Sequence, residues 1–244
     1  MVANYVDFAV RANRKCFSLA GPPDYCGPAS YHGVAARLYH NMGGRFQDVS
    51  RTSGIGGVRA PGLGISCADF DGDDDILITH LVNEGVTLFQ NDGHANFQDV
   101  TAARGLQNST FRFTGFGSDW FDYDNDGRVD IVVTDNNDPA RVLLNQAATQ
   151  NHWLEVRLEG VKSNRMGLGA RAAVIRKGRN PVWRRCHSDG SYCSASDSRV
   201  HFGLGGDSTL EAVIVQWPNG AREIWNGIHT DRTIALREGT GHRR

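Results

Sequence analysis

Asp122-Tyr123-Asp124-Asn125-Asp126-Gly127-Arg128-Val129-Asp130 leads directly into Ile131-Val132-Val133-Thr134. Aspartates hold positions 1, 3, 5 and 9 of this loop, and glycine holds position 6. A tight turn at Gly127 would fold the carboxylates inward around one point. Like charges that close repel by about 1 kcal/mol per pair even in water. A hard cation relieves that repulsion, and Ca2+ takes oxygen ligands from carboxylates and backbone carbonyls. The loop therefore reads as a calcium site with Asp122, Asp124, Asp126, Asp130 and the backbone carbonyl of Arg128 as ligands. The bland alternative is a solvated acidic turn.

An EF-hand would close with glutamate at position 12, and that position is Val133. It would also be flanked by helices, whereas Ile131 to Thr134 is a β-branched run of the kind found in buried strands. The loop belongs to a β-protein.

The surroundings of this loop repeat. Leu38-Tyr39-His40-Asn41 followed by Phe46-Gln47-Asp48-Val49-Ser50 recurs as Leu88-Phe89-Gln90-Asn91 followed by Phe97-Gln98-Asp99-Val100-Thr101. A partial third copy is Val142-Leu143-Leu144-Asn145, so the asparagines are spaced by 50 and then 54 residues. Such a period, built from short strands, marks propeller blades. A second acidic loop, Asp69-Phe70-Asp71-Gly72-Asp73-Asp74-Asp75, precedes Ile76-Leu77-Ile78-Thr79. Aligned on the following strand it is two residues short and lacks the turn glycine after Asp73. Asp69, Asp71, Asp73 and Asp75 are the weaker ligand set, and calcium there is left open.

Val2-Ala3-Asn4 matches Val133-Thr134-Asp135, so the first blade is expected to begin part-way through. Residues 1–145 thus hold an incomplete propeller, expected to be a piece of a longer chain. After the polar connector Gln146 to Asn151 the pattern changes. Strands are expected at Leu154 to Leu158, Ala170 to Arg176, Val182 to Cys186, Arg199 to Phe202, Ala212 to Trp217, Arg222 to Trp225 and Thr233 to Arg237. Trp217-Pro218-Asn219-Gly220-Ala221 is a hairpin turn. Residues 152–238 read as a small β-sandwich or barrel, and residues 239–244 as a disordered tail. The fold class is all-β.

Composition is that of an ordinary globular protein: 244 residues, 22% charged, net charge −1. Without a basic excess, nucleic acid is not expected as a partner. No apolar run approaches the ~20 residues needed to span a bilayer. The opening Met1-Val2-Ala3-Asn4-Tyr5-Val6-Asp7-Phe8 lacks a signal peptide's basic and apolar regions. Among the five cysteines, the spacings of Cys16 with Cys26 and of Cys186 with Cys193 suit local disulfides, leaving Cys67 as a buried strand thiol. Neither pair has zinc spacing. The cysteines favour an oxidising compartment.

Catalytic signals are weak. His187-Ser188-Asp189 are adjacent only in sequence, whereas triads assemble in space. No G-x-S-x-G elbow occurs, and Gly54-Ile55-Gly56-Gly57 lacks a βαβ context. Trp120 and Phe121, with Phe111, Phe113 and Phe116, read as blade core before ligand surface.

The blades resemble FG-GAP/VCBS repeats of integrin-like propellers. The second domain resembles the ASPIC/UnbV domain, through Asn151-His152-Trp153-Leu154, Gly167-Leu168-Gly169-Ala170-Arg171, His201-Phe202-Gly203-Leu204-Gly205 and Trp217-Pro218-Asn219-Gly220. Asp24-Tyr25-Cys26-Gly27-Pro28 is also similar to that family, of which the cartilage acidic protein is a member. The resemblance implies an exported, non-catalytic, calcium-binding module for adhesion or surface interaction, with a protein or glycan ligand. Its location would be extracellular, periplasmic or on the cell surface, with a signal peptide upstream of this chain. It also implies an alternative: an accessory or tailoring protein in enediyne-type natural-product or carbohydrate metabolism. No catalytic residues come with it. The family pattern has no counterpart of the Cys186 and Cys193 pair.

Overall fold

The computed structural model describes residues 1–70, 73–148 and 150–243, and it is nearly all β. Gly64–Asp69, Asp74–Thr79, Val86–Asn91 and Phe97–Asp99 form a four-stranded antiparallel meander in sequence order. Gly115–Phe121, Asp130–Asp135 and Arg141–Leu143 form a three-stranded sheet with Asp130–Asp135 central. Ahead of both, Tyr39–Asn41 pairs with Phe46–Asp48. Val2 bridges Arg37 there, as Val133 faces Arg141 in the later sheet. The sheets form a partial propeller array.

The repeated motif has a hydrogen-bonding reason. Ser50 and Thr101 hydroxyls accept from the Leu38 and Leu88 amides, each at 2.9 Å. Asp48 and Asp99 in turn accept from the Ser50 and Thr101 amides, each at 3.0 Å. The aspartate and the hydroxyl thus pin each outer strand to its neighbour and explain why both recur.

The strand Asp74–Thr79 shows where the core lies. Leu77 packs with Leu88, Ile131 and Val133 towards the next sheet. Ile76 and Ile78 pack with Ala36, Ile55 and Phe89 towards the preceding one. A strand buried on both faces reads as a continuous apolar run, and Ile76-Leu77-Ile78 is one. Each blade therefore completes its core only against its neighbours.

The terminal domain has a core of its own. Val200–Gly205, His152–Glu159 and Arg232–Arg237 make one sheet, and His152–Glu159 runs parallel to Arg232–Arg237. Val182–Arg185, Arg171–Ile175, Ala212–Gln216, Arg222–Asn226 and His242–Arg243 make the other, all antiparallel. Leu154, Val156, Leu158, Ala172, Val213 and Trp217 fill the space between them. At about 1.5–3 kcal/mol per fully buried large apolar side chain, this packing supports the domain as a sandwich rather than a closed barrel.

Three expectations need correction. The tail expected to be disordered is ordered through Arg243, because His242 and Arg243 add to the Arg222–Asn226 edge; Arg244 lies outside the described residues. Cys16 and Cys26 are joined, whereas Cys186 and Cys193 are free. Cys186 is buried in the sandwich with its thiol 3.1 Å from the Ser198 carbonyl, and burial, aided by the Asp197 charge, pushes its pKa up to about 11. Cys193 sits on an exposed loop, so the two face different environments. Cys67 is exposed, because the alternation along Gly64–Asp69 turns it outward.

Candidate functional site

The acidic loop joins Gly115–Phe121 to Asp130–Asp135 and is held by its own backbone. Asp122 accepts hydrogen bonds from the amides of Asp126 (3.0 Å) and Gly127 (2.8 Å). Asp130 accepts from the amides of Tyr123 (2.9 Å) and Asn145 (2.7 Å), tying the loop to the strand beyond. Asn125 and Gly127 adopt positive φ of 59° and 89° to make the turn.

These contacts bring Asp122, Asp124 and Asp130 together, with one carboxylate oxygen from each within 4.8 Å of the others. Oxygens that share one hard cation at about 2.4 Å each lie no more than about 4.8 Å apart. Asp122 and Asp130 are buried and Asp124 is exposed. Burial raises the pKa of Asp122, and the nearby Asp124 charge adds to that, against the lowering from the Gly127 amide. A cation would relieve both raising effects. The donor set fits a metal ion.

Asp126 and Arg128 are placed differently. Asp126 accepts from the Arg128 amide at 2.9 Å and forms an ion pair with the Arg128 guanidinium. Arg128 also donates through Nε to the Asn145 carbonyl at 2.7 Å. Asp126 is thus engaged with Arg128, outside the cluster that the other three aspartates form.

In the first loop, Asp71 and Gly72 lie outside the described residues. Asp75 is fully buried and accepts from the amides of Phe70 (3.3 Å) and Asn91 (2.8 Å), repeating the bracing role of Asp130. Asp73 rests its carboxylate on Gly93. Asp69, the counterpart of Asp122, is 2.5 Å from Arg184 Nη2 of the terminal domain. Among the described residues, this loop forms no three-carboxylate cluster.

The terminal domain also touches the second loop. A β-carbon at Gly127 would stand 2.0 Å from Cδ1 of Trp153. Ser196 donates to Asp119 at 2.9 Å from the same side. Between the two parts lies a cleft of about 840 Å³. Phe70 and Trp120 enter it as a parallel ring pair, 6.1 Å apart. Trp120, read from sequence as core, packs against the blade core and also borders this space. Nothing local in the sequence marks Arg184 or the cleft arginines. At His187-Ser188-Asp189, the Asp189 carboxylate pairs with Arg185 at 2.5 Å and stands 3.6 Å from His187 Nδ1, which also faces the Asp189 carbonyl.

Comparison with known families matches residues 69–133 to the FG-GAP-like repeat and residues 160–243 to the family described as ASPIC and UnbV. The chain joins an FG-GAP-like repeat to an ASPIC and UnbV domain. The repeat match runs from Asp69 to Val133 and so contains both acidic loops. The ASPIC and UnbV match covers most of the sandwich. No curated protein matches the chain. FG-GAP-like repeats typically serve in extracellular or surface proteins. With its ASPIC and UnbV domain, the chain is a repeat-containing, binding-type module. Among the described residues no helix is long and apolar enough to cross a membrane.

Proposed function

We propose that the chain is an exported, calcium-binding, non-catalytic module that acts in adhesion or surface binding. The observation that supports it is the convergence of Asp122, Asp124 and Asp130 within 4.8 Å on a loop already braced by backbone amides. FG-GAP repeats bind calcium in general. All-oxygen, hard donors favour calcium over zinc or copper. Backbone carbonyls and water would complete the six to eight ligands that calcium takes. Binding of an ion that the unfolded chain does not hold stabilises the fold by mass action.

Thermal melting with calcium and with EGTA tests this reading. A melting temperature that rises with calcium in the wild type, and is flat in Asp124→Ala, is expected. Equal melting in calcium and EGTA would remove the calcium reading.

A further inference from the structure

We propose that the cleft between the blades and the terminal domain binds a carboxylate-bearing ring compound. This deepens the binding-module reading, on which it rests, and the cleft borders the acidic loop through Asp126, Gly127 and Arg128. At about 840 Å³ the cleft lies in the size range of small-molecule sites, about 300–1,000 Å³.

Its charge is unbalanced. Four guanidiniums, of Arg104, Arg128, Arg176 and Arg179, line it against the carboxylates of Asp69 and Asp126. Asp69 is already neutralised by Arg184 and Asp126 by Arg128. Arg176 and Arg179 share a single carboxylate, Asp207, at 3.3 Å each. Arg104 has no carboxylate partner among the described residues; it donates to the Gln90 side chain at 3.3 Å and lies 5.5 Å from the Phe70 ring centre. The modest surplus suits a carboxylate better than a polyphosphate. Guanidinium forks match carboxylates in geometry as well as charge.

The second feature is the parallel Phe70 and Trp120 pair, only half buried and bordering the same space. Aromatic surface of this kind packs against another ring, and the Arg104 guanidinium over the Phe70 ring sets a cation beside it. Two buried polar atoms without hydrogen-bond partners, Arg176 Nε and His201 Nδ1, belong to residues lining the cleft. Such orphaned groups are rare in folded chains and point to an incomplete polar network. Cationic donors beside an aromatic surface define the ligand: one anionic group on a ring.

A sugar acid and an aromatic acid share that chemistry. Calorimetric titration of the full chain in calcium buffer with galacturonate and with 2-naphthoate separates them, with galactose and 2-naphthamide as uncharged analogues. One acid is expected to bind one-to-one and at least tenfold more tightly than its uncharged analogue. Arg104→Gln and Arg179→Gln, both at exposed positions, should each weaken it fivefold or more with unchanged melting. The proposal is overturned if neither acid binds at millimolar concentration, if acid and uncharged analogue bind alike, or if both variants match the wild type. Should neither acid bind while an array of neutral and sulfated glycans and matrix proteins retains the chain, only the cleft proposal falls. If the array retains nothing either, the binding-module reading falls with it.

Discussion

Arg184 Nη2 lies 2.5 Å from Asp69 Oδ2, joining the terminal domain to the first acidic loop across 115 positions of sequence. Asp69 is the repeat counterpart of Asp122, as the matched bracing by Asp75 and Asp130 shows. The first loop thus meets its charge with a guanidinium, where the second gathers three carboxylates. Arg184 also lies 3.7 Å from Asp74, the position that Val129 takes in the second loop.

Removing the guanidinium should therefore destabilise the pair of domains. Arg184→Met leaves Asp69, with only 11% of its side chain exposed, without its main counter-charge. Breaking a fully buried pair costs about 3–5 kcal/mol, and exposed pairs contribute about 0–1. With Arg184 26% exposed, an intermediate loss of about 2 kcal/mol is expected. Denaturant melts of the two single variants and of Arg184→Met with Asp69→Asn form a cycle. A zero coupling energy would show that the contact contributes nothing.

The second loop separates ligand from brace. Asp124 is exposed and makes none of the loop's bracing hydrogen bonds, whereas Asp130 accepts from Tyr123 and Asn145. Asp124→Ala should lower calcium affinity and leave melting in EGTA unchanged. Asp130→Ala should lower stability even in EGTA, by about 1 kcal/mol for each of these part-buried amides left unpaired. Calorimetry of the wild type should give one calcium per chain. Identical EGTA melts for the two variants would contradict this division.

Gly127 is constrained twice. Its φ of 89° disfavours any side chain, and an added β-carbon meets Trp153 at 2.0 Å. Gly105 has a similar φ of 75° with nothing within 4 Å. Gly105→Ala should cost only the backbone term, about 1–2 kcal/mol. Gly127→Ala should cost clearly more and alter the near-ultraviolet circular dichroism of the tryptophans. Equal losses would mean that Trp153 yields freely.

Acid should weaken the fold in two stages. Burial lowers the His80 and His201 pKa values from 6.5 to about 4. As pH falls from 6.5 to 4 the unfolded chain takes up protons that the folded chain resists. Stability then declines by up to about 1.4 kcal/mol per pH unit for each histidine. NMR titration should find neither imidazole protonated at pH 6.

Glu238 governs the lower range. Burial raises its pKa, but the amides of Ser163, Val161 and Lys162, each at 2.8 Å, outweigh this and hold it near 2. A depressed carboxylate stabilises above its ordinary value near 4.5, and the gain disappears as pH falls through 2. Glu238→Gln should melt below the wild type at pH 6, with the gap closing towards pH 2. A gap that stays constant with pH would rule out this role for the carboxylate.

The local sequence was informative wherever a structural demand falls on neighbouring residues. The apolar run Ile76-Leu77-Ile78 marks a strand buried on both faces. The Asp99 and Thr101 spacing marks the clip onto Leu88. Seven strands of the terminal domain stand where alternation and turn residues put them. Gly127 reads as a turn, and of the four aspartates read as meeting there, Asp122, Asp124, Asp126 and Asp130, three do.

The all-β character, the repeat and the acidic loop were legible along the chain, because each depends on backbone periodicity or on hydrogen bonds within a few residues. It took the folded molecule to show that Asp126 pairs with Arg128, that Arg184 meets Asp69, that Trp153 closes on Gly127 and that Cys186 and Cys193 face different surroundings. Three of these depend on how separate elements pack, and the Asp126 pair depends on a side-chain choice between competing charges. Arg184 and Asp69 are far apart in the chain and adjacent in space, and spacing along a sequence carries no record of such a meeting.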